Sequence, residues 1–239
     1  MTGSGIHYFP IPGIFLLLLA GLLGVLCVLL VLNVLRFAYA RIGIAPQYFF
    51  AILVLTLVGS YINIPLLQFP ETEVLSPQHV TVFGIPYVVP LVEDSPGTLL
   101  AINVGGGLIP ILLSIYLIVK NGIHRKAAWG VLIVAIACYV MASPVAGVGV
   151  TIPIFYPPLV TAVVALVLSR TYAAPLAYAS GSLGTLVGAD LFNLPLISEM
   201  QAPVMSIGGA GTFDAIFLTG LLAGVLASIG MRRTGRTAR

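Results

Sequence analysis

Apolar residues in this chain come in long continuous runs, not in stripes. Seven stand out, at about 11–35, 47–67, 98–119, 127–143, 154–169, 171–194 and 208–231. Runs of roughly 18 or more apolar residues predict helices that cross a bilayer. Their continuity excludes the alternating pattern of a membrane barrel. The expected fold is an all-α polytopic membrane protein, one transmembrane domain over 1–239. Between the second and third runs, residues 69–97 hold Glu71, Glu73, Glu93 and Asp94. There HVTVFGIPYVVPLV predicts two short strands about a turn at 84–86, a small hairpin on the outer face.

Polar and helix-breaking residues interrupt several runs. GSYINIPLLQ puts Ser60, Asn63 and Pro65 in the second. A kinked helix, with a neighbouring side chain satisfying the carbonyl freed by proline, is one expectation; the other is that Asn63 lines a polar cavity. The third run contains INVGGGLIP, with Asn103 before three glycines and Pro110. Each glycine costs a helix about 1 kcal/mol relative to alanine, so close backbone contact or unwinding is expected there. SPVAGVGVTIPIFYPPL, between the fourth and fifth runs, reads as an outer loop or a re-entrant segment. Ser180, Gly184 and Gly188 in the sixth run recur every fourth residue, as do Gly220, Gly224 and Ser228 in the seventh. Such small faces allow close helix packing, and the two runs are expected to pack together.

Composition agrees: 59% of residues are hydrophobic, 7% are charged, and mean hydropathy is +1.14. A soluble domain would carry about a quarter charged residues. All ten basic residues follow the first, third, fifth and seventh runs, while Glu71, Glu73, Glu93, Asp94 and Glu199 follow the second and sixth. Basic residues collect on the cytoplasmic side. This predicts seven spans in the plasma or inner cell membrane, with the N-terminus outside and the C-terminus cytoplasmic. MTGSGIHYFP lacks a positive n-region, so the first run is expected to be a retained span. The basic residues are scattered at the ends of the runs and form no basic domain, so no nucleic-acid partner is expected; the lipid bilayer is the expected partner. Cys27 and Cys138 lie on different runs and read as packing residues. His7, His79 and His124 are dispersed, and no Walker or HExxH motif occurs, so neither a metal nor a cofactor is expected.

Two acids remain inside the runs. Asp190 lies about four residues before the outer end of the sixth, and Asp214 about six after the outer start of the seventh. At 1.5 Å per residue their depths agree to within roughly one turn. An intramembrane aspartate costs roughly 2.5 kcal/mol or more, which makes it a functional candidate. Two carboxyls at one site share a proton, an arrangement suited to acid–base chemistry or to carrying a cation. Helix capping is the structural alternative, by Asp214 itself or by Thr212 or Ser206.

The phrases INVGGGLIP, GADLFNL and GGAGTFDAIFLTGLLA resemble an uncharacterised prokaryotic membrane family, the domain of unknown function 1614. The resemblance implies membership of a membrane family and no particular activity. Asp190 and Asp214 on neighbouring runs, with GGAG before the second, are more remotely similar to the GxGD intramembrane aspartyl proteases: presenilin, signal peptide peptidase and the prepilin peptidases. That likeness implies Asp190 and Asp214 as catalytic residues and Gly209 and Gly211 as motif glycines. Asn193, Asn103 and Asn63 are associated candidates. Two residues separate Gly211 from Asp214, and Ala189 stands where the family has tyrosine. The functional expectation is an intramembrane aspartyl-protease-like hydrolase acting on a membrane peptide. The alternatives are a transporter or channel for a small solute or cation, using the same acids, and a non-catalytic accessory protein.

Overall fold

Proline decides where three of the helices begin. Helices α2 (Pro46–Gly59), α3 (Ile109–Asn121) and α5 (Tyr156–Leu168) each carry it in the first turn, where the missing N–H has no intrahelical partner to lose. The structure, a computed structural model, describes residues 13–70, 72–82, 85–95, 97–145, 149–200, 204–209 and 214–230. The other helices are α1 (Gly13–Ile42), α4 (His124–Met141), α6 (Ala173–Thr185) and α7 (Ala215–Ile229). Helical stretches at Gly13–Ile42, Val104–Asn121 and His124–Met141 are long and apolar enough to cross a membrane; α2, α5 and α7 are apolar but shorter.

The chain divides into two units, at Phe37 and Ala38. Up to Phe37 the described chain is helix α1 alone, and nearly all its side chains, Leu17, Leu23 and Val31 among them, are exposed. In the second unit α6 is the central element, packed against α3, α4, α5 and α7. Its side chains are almost all buried. The surrounding core is built largely from alanine: Ala127, Ala162, Ala165, Ala177, Ala223 and Ala227, with Ile123 and Leu176. Large apolar residues such as Leu112, Ile136, Leu159 and Val167 point outward. Small residues inside and large ones outside is the distribution expected where lipid, not water, surrounds the helices.

The second and third runs depart from continuous helix. The second is helical only as α2; from Asn63 to Gln68 it is strand β1. The third begins as strand β4 (Leu99–Asn103), widens into a π-turn at Val104–Leu108, and only then becomes α3. A third strand, β7 (Val204–Ile207), precedes the last helix. The order is β1–β4–β7, with β1 antiparallel and β7 parallel to β4. Pro65 therefore kinks no helix. It lies on an edge strand beside a register shift, where no ladder donor is needed. The seventh helix starts at Ala215, seven residues later than the run from Gly208 implies.

The sixth run is also irregular. After Thr185 comes a π-turn, Leu186–Asp190, and then a 3-10 segment, Leu191–Met200. In the loop before α5, β5 (Ser143–Val145) pairs with β6 (Gly149–Thr151). Strands β2 (Thr72–Val82) and β3 (Ile85–Ser95) pair antiparallel along their length; turn residues 83 and 84 lie outside the described residues.

The small faces pack as single-sided seams. Ser180 and Gly184 of α6, and Gly188 in the π-turn after it, face α4, against Gly130, Val134 and Ala135. The face α6 turns to α7 is a different one, with Tyr178, Gly181 and Ser182 opposite Gly220. The stripe allows a close approach without naming the helix that makes it.

Candidate functional site

The site lies where three segments lose regular structure together: the end of β4, the end of α6, and the link from β7 to α7. Leu100, Leu186, Ile207 and Ile216, one or more from each, form a single apolar cluster.

A π-turn leaves carbonyls without their usual helical donors. At the end of α6 Asn193 supplies the donor: its buried Nδ2 gives hydrogen bonds to the carbonyls of Ala189 (2.8 Å) and Gly188 (3.3 Å). Asn193 thus holds the backbone leading into Asp190. The Asp190 carboxyl is partly buried and takes no hydrogen bond from the described residues.

Asp214 is the N-cap of α7. Its Oδ1 accepts the Ile216 N–H at 2.8 Å, and its carbonyl accepts the Leu218 N–H at 2.9 Å. Of the three capping candidates, Asp214 takes the role. Ser206 instead donates to Asn63, and Thr212 lies outside the described residues.

Gly220 faces Tyr178 and Ser182, and Gly224 faces the Ala174 carbonyl, so α6 and α7 run antiparallel. Counting six residues back from Gly220 sets Asp214 abreast of about residue 186, and Asp190 about one turn beyond it.

Beside this pair is an amide network. Asn63 and Asn103 face each other across β1 and β4. Asn103 is fully buried. Its Nδ2 donates to the Ser60 carbonyl (2.8 Å) and to Asn63 Oδ1 (3.1 Å), and its Oδ1 accepts the Gly106 N–H (2.9 Å). Ser206 Oγ donates to Asn63 Oδ1 at 2.7 Å. One cluster therefore ties the end of α2, strand β1, the π-turn after β4, and β7. The two asparagines are committed to this joint. Among the described residues no three His, Cys, Asp or Glu side chains gather as a metal site.

The profile of one protein family matches residues 57–226, which include Asp190, Asp214 and the whole amide network. The chain belongs to the DUF1614 family. Its members are described as proteins of unknown function. No curated protein and no solved structure matches this DUF1614 chain. Of the motif glycines, Gly209 is an exposed turn residue whose N–H donates to the Ser206 carbonyl; Gly211 lies outside the described residues. The tight glycine of this DUF1614 turn is Gly208, with φ +71°, set directly on the backbone of Gly106 and Gly107.

Sequence reading singled out both asparagines but not Ser206 as their partner, nor the sheet that aligns them. A signal was present. YINIP and AINVG both place asparagine between β-branched residues, a short apolar–polar–apolar alternation that suits paired strands. Replacing Asn103 by leucine strands the Ser60 carbonyl and the Gly106 N–H. Each buried group left unpaired costs about 1–3 kcal/mol, so a clear fall in thermal stability of the detergent-solubilised protein is expected.

Proposed function

We propose that this DUF1614 protein is a multi-pass protein of the cell membrane in which Asp190 and Asp214 form an acid–base pair that hydrolyses a membrane-embedded peptide. The observation that carries this reading is the contrast between two carboxyls that the antiparallel pairing of α6 and α7 sets about one helical turn apart in level. Asp214 accepts a backbone N–H at a helix N-terminus, so it is placed to hold the negative charge. Asp190 takes no such donor from the described residues and is the partner that holds the shared proton. In the reaction, Asp214 takes a proton from water as the water oxygen bonds to the peptide carbon. Asp190 gives its proton to the carbonyl oxygen. Collapse of the tetrahedral adduct breaks the C–N bond: the nitrogen leaves with the proton from Asp214, and the hydroxyl proton returns to Asp190.

The same reading takes seven membrane segments, with the N-terminus and the 69–97 segment outside and the C-terminus cytoplasmic. Its support is the segregation of all ten basic residues to alternate connections. With Cys27 and Cys138 replaced by serine, a cysteine introduced at Asp94 should react with a membrane-impermeant maleimide from outside intact cells. One at Arg125 should react only after permeabilisation. The reverse result overturns the topology.

Transport of a small solute or cation is a second reading, supported by the π-turns at Val104–Leu108 and Leu186–Asp190. Irregular backbone within a membrane is tolerated where it is enclosed or lines a cavity. Reconstitution separates the readings. Proteoliposomes carrying a single-span peptide reporter should show cleavage if the hydrolase reading holds. Solute or cation flux without cleavage supports the second reading. Neither activity leaves the accessory role.

A further inference from the structure

At the end of α6 away from the aspartates, α4 and α6 begin side by side. Gly130 meets Ser180, Val134 meets Gly184 and Ala135 meets Gly188, so the two helices run parallel. Counting back from Gly130 to His124 and from Ser180 to Ala173 brings both N-termini to about one level. Neither has a side-chain cap or an acid in its first turn. Instead Arg125 and Lys126 stand in the first turn of α4, and Arg170 just before α6. The N-terminus is the unfavourable end of a helix for a cation, and no acidic residue occurs between Asp94 and Asp190 to balance these three. Basic residues at the end of a membrane helix are ordinary. What sets this place apart is Ser169, which is 6% exposed and ends α5. Its Oγ accepts Lys126 Nζ at 3.1 Å and the Tyr172 N–H at 3.4 Å. Both partners are donors, and no described residue accepts the Ser169 hydroxyl proton. Native interiors leave few such protons unpaired.

We propose that Lys126, Ser169 and Arg170, where α4 and α6 begin, bind a phosphate group. The place offers donors: the Lys126 protons that Ser169 does not take, the Ser169 hydroxyl, and the Arg170 guanidinium. Phosphate oxygens accept from such groups in charge-assisted hydrogen bonds, and the positive ends of two helices favour the same charge. No cavity is required, because Arg125, Lys126, Arg170 and Tyr172 are exposed and the group docks from the surface. Two sources carry this chemistry, the headgroup of a membrane phospholipid and free inorganic phosphate. The site does not depend on any chemistry at Asp190 or Asp214, nor on which side of the membrane this end faces.

The full-length protein, delipidated in detergent, is titrated with phosphatidylglycerol by native mass spectrometry and with radiolabelled inorganic phosphate by equilibrium dialysis. Saturable binding of the lipid alone assigns the site to a headgroup, and saturable binding of inorganic phosphate assigns it to the free anion. Saturable binding of neither to the wild-type protein overturns the site, and that measurement needs no variant. Diacylglycerol, which lacks the phosphate, should not compete with the lipid; equal competition means that acyl chains alone are held and overturns the site. Ser169→Ala and Lys126→Gln should each weaken binding about tenfold, the usual scale for a hydrogen bond to a charged group. Arg36→Gln removes the same charge as Lys126→Gln from helix α1 and should leave affinity unchanged. An Arg36→Gln loss as large as that of Lys126→Gln, or wild-type affinity in Ser169→Ala, reduces the binding to general attraction by basic residues and overturns the site.

Discussion

Asp190→Asn eliminates reporter cleavage, and Asp214→Asn does the same while leaving the Tm unchanged. Loss of a general acid or base costs about 10²–10⁴ in rate, and in a pair that shares one proton neither half works alone. The second variant is the more informative, because Asp214 already has a structural task. Its Oδ1 caps α7, and asparagine caps about as well as aspartate. If capping were its whole role, Asp214→Asn would be silent in every assay. Asp214→Ala adds the contrast: loss of the cap costs about 1 kcal/mol, so the Tm falls as well. An Asp214→Asn protein that still cleaves at the wild-type rate ends the hydrolase reading, whatever Asp190 does. Asn193→Ala completes the series. It frees the carbonyls of Gly188 and Ala189 and should slow cleavage less than Asp190→Asn, since it acts through the backbone of Asp190 and not on the substrate.

Gly208→Ala is expected to be strongly damaging. Gly208 has φ +71°, a conformation that costs an L-residue roughly 1–2 kcal/mol. The added Cβ would also meet the backbone of Gly106 and Gly107, which cannot swing aside as a side chain can. Overpacking adds about 1–3 kcal/mol. The damage falls on the contact between the π-turn after β4 and the turn that leads toward Asp214, so both stability and activity should be lost. Gly21→Ala is the control. Nothing lies within 4 Å of its added Cβ, and helix propensity favours alanine. A Gly208→Ala protein as stable as wild type would show that the two turns do not press on each other.

The amide network and the glycines show how far sequence carries. Asn63, Asn103 and the three glycines stood out because they are unsuited to a plain apolar helix. Their oddness was legible; their partnership was not. Asn63 meets Asn103 because two strands align them, and Ser206 joins because a third strand arrives from far along the chain. The runs that hold β1 and β4 read as helix because a short apolar stretch does not declare its period. Likewise Gly105 is required by the Thr56 carbonyl and Ser60 that lie against it, residues of a different run.

What the sequence determined by itself was local. It set the apolar character of the runs, the polar and glycine-rich breaks within them, and the presence of Asp190 and Asp214 on neighbouring runs. Helical hydrogen bonds close within four residues, so pattern and punctuation suffice to place them. Only the tertiary structure decided which runs became strands, which helix met the small stripe of α6, and how one oxygen of Asp214 is engaged. Strand pairing, helix contact and the satisfaction of a buried amide all depend on groups distant in the chain, and no window of sequence contains both partners.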